Sequence, residues 1–396
     1  MKRVVGRSLL LGVLLVSIPA VANHQGNKSH DETRVSLKER RDAAYQRQNR
    51  EIARAYDKYQ RKVARVWGKE AVLPDARREV TYRDQMRQRS IVDYAGGMVR
   101  VEVAVKPATA ERRDAAAHRL EQAIEQTVLQ GPDERSIIEI AENPTPPASH
   151  SMAVLADLIA NDDGTPFRAE DLQDFKAAKA RDMQVRSLHG KDGKERVVVS
   201  AQFRMVPDHI RVLAEKFQDS VARYAREHDI PAALIYAIIE TESAFNPRAR
   251  SPIPAFGLMQ LVPDRAARDA YKFLHAKDRV VKERYLYVAD KNIELGTAYL
   301  HLLYHRYFRA IKDPQSRLWA TIAAYNAGAV NVVRSVAGKY SKKRFSSSYT
   351  WKHYAFKKIN QMRPAQVYTH LRKRMPAGET RRYLKKVRKR MEKYGV

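Results

Sequence analysis

The sequence predicts an α+β amino-terminal domain with an antiparallel sheet, followed by an all-α domain. Two stretches before residue 205 alternate apolar and polar residues around glycine-containing turns, as β-hairpins do. After Pro207 the strand signals stop and helix-period segments follow one another to the carboxyl end. The length of 396 residues exceeds one ordinary core and suits two domains.

Lys2, Arg3 and Arg7 precede an apolar run from Leu9 to Val16, and Pro19 leads to the small-residue site Ala20-Val21-Ala22. This is the pattern of a secretory signal peptide over residues 1–22, with an apolar run far short of the ~20 residues that span a bilayer. An exported protein is therefore expected. A polar stretch, 23–32, comes next. The segment from Arg34 to Trp67 lacks Gly and Pro and is rich in Arg, Glu, Gln and Ala, which favours a long helix. Its apolar residues, Ala44, Ile52, Ala55, Tyr59, Val63 and Val66, predict one narrow buried stripe.

The first hairpin pairs Ser90–Tyr94 with Met98–Val103 around Ala95-Gly96-Gly97, and the second pairs Met183–Leu188 with Val197–Phe203 around Asp192-Gly193. Helical patterns near 108–129, 151–160 and 168–180 lie between them, set apart by clusters such as Asn143-Pro144-Thr145-Pro146-Pro147. Residues 23–205 thus read as an accessory domain with about four antiparallel strands and no catalytic constellation. Residues 206–396 read as the all-α domain, with helices at 208–228, 231–244, 263–275, 290–308, 315–327, 329–337 and 365–394.

The chain has no cysteine, which excludes disulfides, thiolate metal sites and a lipid-modified cysteine. Its formal net charge of +29 draws polyanions. Nucleic acid does not suit an exported protein; a wall polymer bearing carboxylates, or an anionic membrane surface, fits better. His301 and His305 stand four apart on a helical segment, but Leu302 occupies the place of the Glu that a zinc-protease motif needs, so an exposed or packed pair is expected and no metal or other cofactor.

One acid stands out. In the helix expected to start at Asp229-Ile230-Pro231 and to stop at Asn246-Pro247, Ile235, Ile238 and Ile239 share a face with Glu242. A carboxyl on the apolar side of a helix is held protonated, as a general acid must be near neutral pH. Taken alone, such a Glu is more often a partly exposed last-turn residue or the ion-pair partner of an Arg.

Its neighbourhood changes that balance. Glu242-Ser243 is followed by Gly257-Leu258-Met259-Gln260, by Ala324-Tyr325-Asn326-Ala327-Gly328 and by Glu379-Thr380-Arg381-Arg382-Tyr383. Four pieces in this order are far more specific than any one. Over roughly 208–390 the chain resembles the soluble-lytic-transglycosylase family, whose catalytic domain is lysozyme-like. Val66-Trp67-Gly68 and the first hairpin resemble the amino-terminal domain of the membrane-bound lytic murein transglycosylase C family.

The resemblance implies that Glu242 is the catalytic residue and Ser243 its constant neighbour. It implies that Gly257 lets backbone approach a sugar, that Met259 and Gln260 line the cleft, that Tyr325 and Asn326 are a hydrogen-bonding pair beside the glutamate, and that the Tyr383 hydroxyl reaches the same cleft. Ser251 stands where the family has a glycan-contacting serine, whereas Ile253 replaces a second serine of some members. The implied reaction is non-hydrolytic cleavage of the β-1,4 bond between N-acetylmuramic acid and N-acetylglucosamine in peptidoglycan strands, giving 1,6-anhydro ends. Because the chain lacks the lipidated cysteine of the C-type relatives, a monomer free in the periplasm or held at a membrane by charge is expected. Asp264 and Asp269 carry no signature of a second catalytic carboxylate. The rivals are a hydrolase like the goose-type lysozymes and a non-enzymatic adaptor that uses the 34–67 helix and the Lys385–Arg390 tail to bind wall polymer.

Overall fold

Alternation of side chains across five strands builds the first half of the chain. The computed structural model describes residues 28–129, 135–143, 155–251 and 254–395. The leader pattern at 1–22, most of the Asn143–Pro147 cluster, part of the 151–160 pattern and Ile253 lie outside the described residues. Strands β1 (Arg78–Arg83), β2 (Gln88–Asp93), β3 (Met98–Val105), β4 (Gln184–His189) and β5 (Glu195–Arg204) form one antiparallel sheet in the order β1-β2-β3-β5-β4. Both expected hairpins are present, so the predicted fold class holds. The fifth strand is β1, which carries only Val80 and Tyr82 as inward apolar residues among Arg78, Glu79 and Arg83. A short charged strand at a sheet edge resists pairing with other chains and carries little apolar alternation. Its turn into β2 places Asp84, Gln85 and Met86 at positive φ without a glycine, so no glycine marks it.

The sheet is covered on both faces. On one face, helix α1 (Lys28–Trp67) lays Ile52, Ala55, Tyr59, Val63, Val66 and Trp67 against Val80, Tyr82, Ala104, Leu188 and Val198, which is the stripe read from the sequence. The side chain of Ala44, also placed in that stripe, is outside the described set. Helices α2 (Arg113–Leu129) and α3 (Leu172–Arg181) cover the other face, where Val92, Val99, Val101, Val103, Val199, Ala201 and Phe203 point.

The second half is helical: α4 (His209–Glu215), α5 (Gln218–His228), α6 (Ala232–Glu242), α7 (Ala266–His275), α8 (Ala289–His301), α9 (Pro314–Ala327), α10 (Ala329–Ala337), α11 (Ser348–Ile359), α12 (Pro364–Arg374) and α13 (Gly378–Tyr394). Four expectations are corrected. The segment 208–228 is two helices, and 365–394 is broken at Met375-Pro376-Ala377, where proline has no N–H to continue the ladder. Helix α11 was not expected; it starts in a capping box between Ser347 and Thr350. Asp229 does not cap α6: it lies in left-handed backbone at the end of α5, and α6 begins after Pro231. His301 and His305 turn ring nitrogens to the carbonyls of His228 and Asp229, each at 2.9 Å, which fastens this same corner. Residues 43–396 form one compact unit, and a single apolar cluster runs through residue 205, joining Phe203 and Met205 to Leu213, Val221 and the α6 isoleucines.

A buried polar knot crosses the α1 face of the sheet. Arg89 and Glu102 stand directly opposite in the β2–β3 register and pair with side chains only 3% and 2% exposed. Arg89 also donates to the Glu70 carbonyl at 2.6 Å and stacks 3.7 Å above the Trp67 ring, while Glu102 takes a second bond from Arg186 at 2.7 Å. Removing one member of a buried pair strands the other. Arg89→Met is expected to cost about 3–5 kcal/mol in urea unfolding, with most of that recovered in Arg89→Met/Glu102→Leu.

Candidate active site

Helix α6 owes its position to Ile235, Ile238 and Ile239, all with no exposed surface, which sink one face into the core and leave Glu242 as the last helical residue. The chain then turns sharply. Ser243 is fully buried and its Oγ donates to the Ile239 carbonyl at 2.9 Å, while Ala244 and Phe245 take positive φ. Such strain in non-glycine residues persists only where packing over-determines it. Here Phe245 is fully buried and stacks 6.2 Å from Phe217. Ser243, expected among the binding residues, thus ends the helix from a position with no exposed surface.

Burial raises the Glu242 carboxyl to a pKa of about 7. The Tyr383 hydroxyl and the Arg77 guanidinium pull it down, and the charge of Glu379 pushes it up. Tyr383, on α13, is 5% exposed, and its hydroxyl faces Glu242 in a contact looser than a standard hydrogen bond, with no other partner. Catalytic hydrogen bonds are often loose before substrate binds. That oxygen is itself closed off from solvent, so it meets the carboxyl from within the protein. Tyr325, on α9, donates to the Met259 carbonyl at 2.8 Å, and its ring lies 5.8 Å from that of Tyr299. Burial pushes the hydroxyls of Tyr325 and Tyr383 well above the usual phenol range, so both remain neutral donors beside the acid.

The loop from Phe256 to Leu261 is held by one buried amide. Asn292 of α8 donates to the carbonyls of Phe256 at 2.9 Å and Leu286 at 2.8 Å, and its Oδ1 accepts the Met259 N–H at 2.8 Å. Gly257 sits at φ +75°, and a Cβ there would lie 2.2 Å from the Leu286 carbonyl and 2.3 Å from Asn292 Nδ2. Packing of the loop on protein therefore requires a glycine here. Met259 is likewise fully buried, its sulfur against Gly296 of α8, so it lies beneath the loop and contributes its carbonyl to Tyr325. Gln260 is partly exposed at φ +48°, with its amide donating to the Gly257 carbonyl at 3.0 Å.

Asn326 accepts from the Thr380 hydroxyl at 2.7 Å, tying the end of α9 to the start of α13. The N–H of Ser251 donates to the Ala255 carbonyl at 3.2 Å. The structure therefore gathers Glu242, Tyr325 and Tyr383 into one group, with Met259 and Gln260 on the supporting loop. Burial lifts Asp269 to about 6, and its charge falls on Tyr299. Among the described residues no group of three His, Cys, Asp or Glu could hold a metal.

Two participants have no signal in the sequence. Glu379 lies inside a quoted motif, but nothing there marks its charge as acting on Glu242. Arg77 lies in the loop before β1, and its guanidinium donates to the carbonyl of Thr241, next to the acid, at 3.2 Å. Only tertiary packing brings residue 77 to residue 241.

Residues 219–347 match the family model of the transglycosylase SLT domain, and residues 45–216 that of the membrane-bound lytic murein transglycosylase C N-terminal domain. The chain is 32% identical to the membrane-bound lytic murein transglycosylase C of Yersinia enterocolitica over 394 residues, covering 96% of this chain and 98% of that one. It is 34% identical to the protein of the same name from Klebsiella pneumoniae over 342 residues, covering 84% and 86%. Among solved structures, the 70-kDa soluble lytic transglycosylase of Escherichia coli aligns with 44% of this chain and 23% of its own length at 26% identity, with a TM-score of 0.32. By the full-length likeness to its relatives and the two family models that together span most of it, the chain belongs to the membrane-bound lytic murein transglycosylase C family.

Proposed function

We propose that this lytic transglycosylase cleaves the glycan strands of peptidoglycan with Glu242 as its single acid and base. The observation that carries this reading is a carboxyl buried to a pKa of about 7 between two neutral tyrosine hydroxyls. At neutral pH about half of such groups hold a proton, and the working pH is where a general acid and a general base are both available from one residue.

In the proposed reaction Glu242 gives its proton to the oxygen of the β-1,4 bond as the bond from the muramic acid C1 to that oxygen breaks. The positive sugar centre is stabilised by the N-acetyl group and by the dipoles of the cleft. The same sugar's C6 hydroxyl then attacks C1, its proton passes to the Glu242 carboxylate, and a 1,6-anhydro ring closes. A nucleophile carried by the substrate has a high effective concentration, so water loses the competition. Ser251, Gln260 and Asn326 supply polar groups for the sugars. Gly257, Met259, Ser243, Tyr325 and Tyr383 hold the acid and the loop in place. A basic, exported chain of this family belongs in the cell envelope, and no helix among the described residues is long and apolar enough to cross a membrane.

Digestion of purified sacculi tests the reading. Wild type is expected to release anhydro-muropeptides detectable by mass spectrometry, and Glu242→Gln to lose activity by on the order of 10²–10⁴-fold; reducing ends in place of anhydro ends would establish a hydrolase, and unchanged wall binding without turnover by wild type an adaptor. Because the acid must be protonated in the free enzyme, kcat/KM should fall as pH rises through about 7.

Glu379 is the acid whose charge acts on Glu242, so a hydrolytic mechanism would draw on it as the base. Glu379→Gln is expected to keep anhydro products. Loss of its negative charge should move the alkaline limb of the pH profile to lower pH, read from kcat/KM across pH 5–9; loss of turnover without that movement would count against the single-acid mechanism.

A further inference from the structure

The amino-terminal sheet region reaches the chemistry at one point. The loop Pro74-Asp75-Ala76-Arg77, which leads into β1, lies against the end of α6 and the turn after it. Arg77 donates to the Thr241 carbonyl at 3.2 Å, the fully buried Asn246 donates to the Ala76 carbonyl at 3.5 Å, and the Arg250 N–H donates to the Asp75 carbonyl at 3.4 Å. Asp75 in turn bonds the Arg77 and Arg78 N–H groups, both at 2.8 Å, so the loop arrives already folded. Thr241 precedes Glu242, and its carbonyl is one of those a helix end leaves without an internal partner. A cation there also offsets the negative end of the helix dipole.

Resting on the reading of Glu242 as acid and base, we propose that Arg77 is a positioning residue for the reaction. It holds the end of the catalytic helix and supplies the countercharge that Glu242 meets once it has given up its proton.

The groups facing Glu242 set the need. Tyr383 and Glu379 come from α13, Tyr325 from α9 and Arg77 from the sheet region; Lys386, also on α13, feels the charge of Arg77. The two tyrosines are neutral, and Glu379 repels a carboxylate. Arg77 is the cation that acts on Glu242. Ionised Glu242 must nevertheless form and survive until the C6 hydroxyl returns a proton. Stabilising that state lowers the barrier to leaving-group departure without tightening substrate binding, so the effect belongs in kcat more than in KM.

Three variants separate charge from contact: Arg77→Gln keeps a donor for the Thr241 carbonyl, Arg77→Met removes both, and Arg77→Lys keeps the charge. With sacculi as substrate, Arg77→Gln and Arg77→Met are expected to lower kcat about tenfold with KM within about twofold. Their alkaline limb should move up by roughly half to one pH unit, a unit corresponding to a tenfold change in proton affinity. Arg77→Lys should restore both. The proposal is overturned if the neutral variants lose activity with the limb unmoved, if they keep wild-type kcat, or if both fail to fold as judged by near-ultraviolet circular dichroism. Glu242→Gln run beside them keeps the two readings distinct: a Glu242→Gln enzyme that still turns over removes the acid itself, whereas an inactive one with unmoved Arg77 profiles removes only the role of Arg77.

Discussion

The structure depends on desolvating one carboxyl at the carboxyl end of a buried helix. Two glutamates on α6 show how narrowly this is controlled. Burial pushes both up, but Glu240 meets the Tyr394 hydroxyl at 2.5 Å, Arg390 at 2.9 Å and Lys393 at 3.2 Å, and their combined effect takes it below the usual carboxylate range. Glu242, two residues on, meets a neutral tyrosine, a repelling carboxylate and one cation, and is raised to about 7. One turn of helix thus carries a permanent anion and a proton donor. The difference lies in which side chains of α13 face them, since environment and not residue type sets the role of a carboxyl.

Most residues of the recognised motifs bond to or pack against protein neighbours in that arrangement. Ser243 ends the helix through its own hydroxyl, and Gly257 and Met259 pack against Asn292 and Gly296 of α8. Tyr325 fixes the loop to α9 through the Met259 carbonyl, and Asn326 ties α9 to α13 through Thr380. The links at Tyr325 and Asn326 engage α9 and α13, which carry groups that interact with Glu242. Supporting groups of this kind hold a site to a fraction of an ångström, and a site without them is loose. They carry sequence signals as specific as the acid because their geometry tolerates equally little change: left-handed backbone at Gly257, a carbonyl at 2.8 Å from Tyr325.

What the sequence discloses follows from how local each cause is. The isoleucine face under Glu242, the α1 stripe and both hairpins are periodicities of a single segment and are legible in it. Strand β1 is not, because its outward charges and glycine-free turn leave only Val80 and Tyr82 to read. The break at Pro376 was passed over since the apolar period continues on both sides of it, from Val367 and Leu371 to Leu384 and Val387. In the site, motif order locates the elements but not how deeply their side chains are buried: Met259 and Ser243, expected to face substrate, have no exposed surface. Arg77 could not be found at all, because its partner is 164 positions away and no residue between them signals the contact.

That distance bears on why the sheet and the helices form one body. A guanidinium tethered by a flexible linker would sample many positions, and its averaged field at Glu242 would be weak and screened by salt. Here the apolar cluster passes without interruption from Phe203 and Met205 into Leu213, Val221 and α6, and the 74–77 loop adds backbone contacts at Asn246 and Arg250. The continuous core fixes where the loop can stand relative to the helix end. The amino-terminal region is therefore coupled to the acid by packing first and by charge second, and the charge can act only because the packing denies it any other place to be.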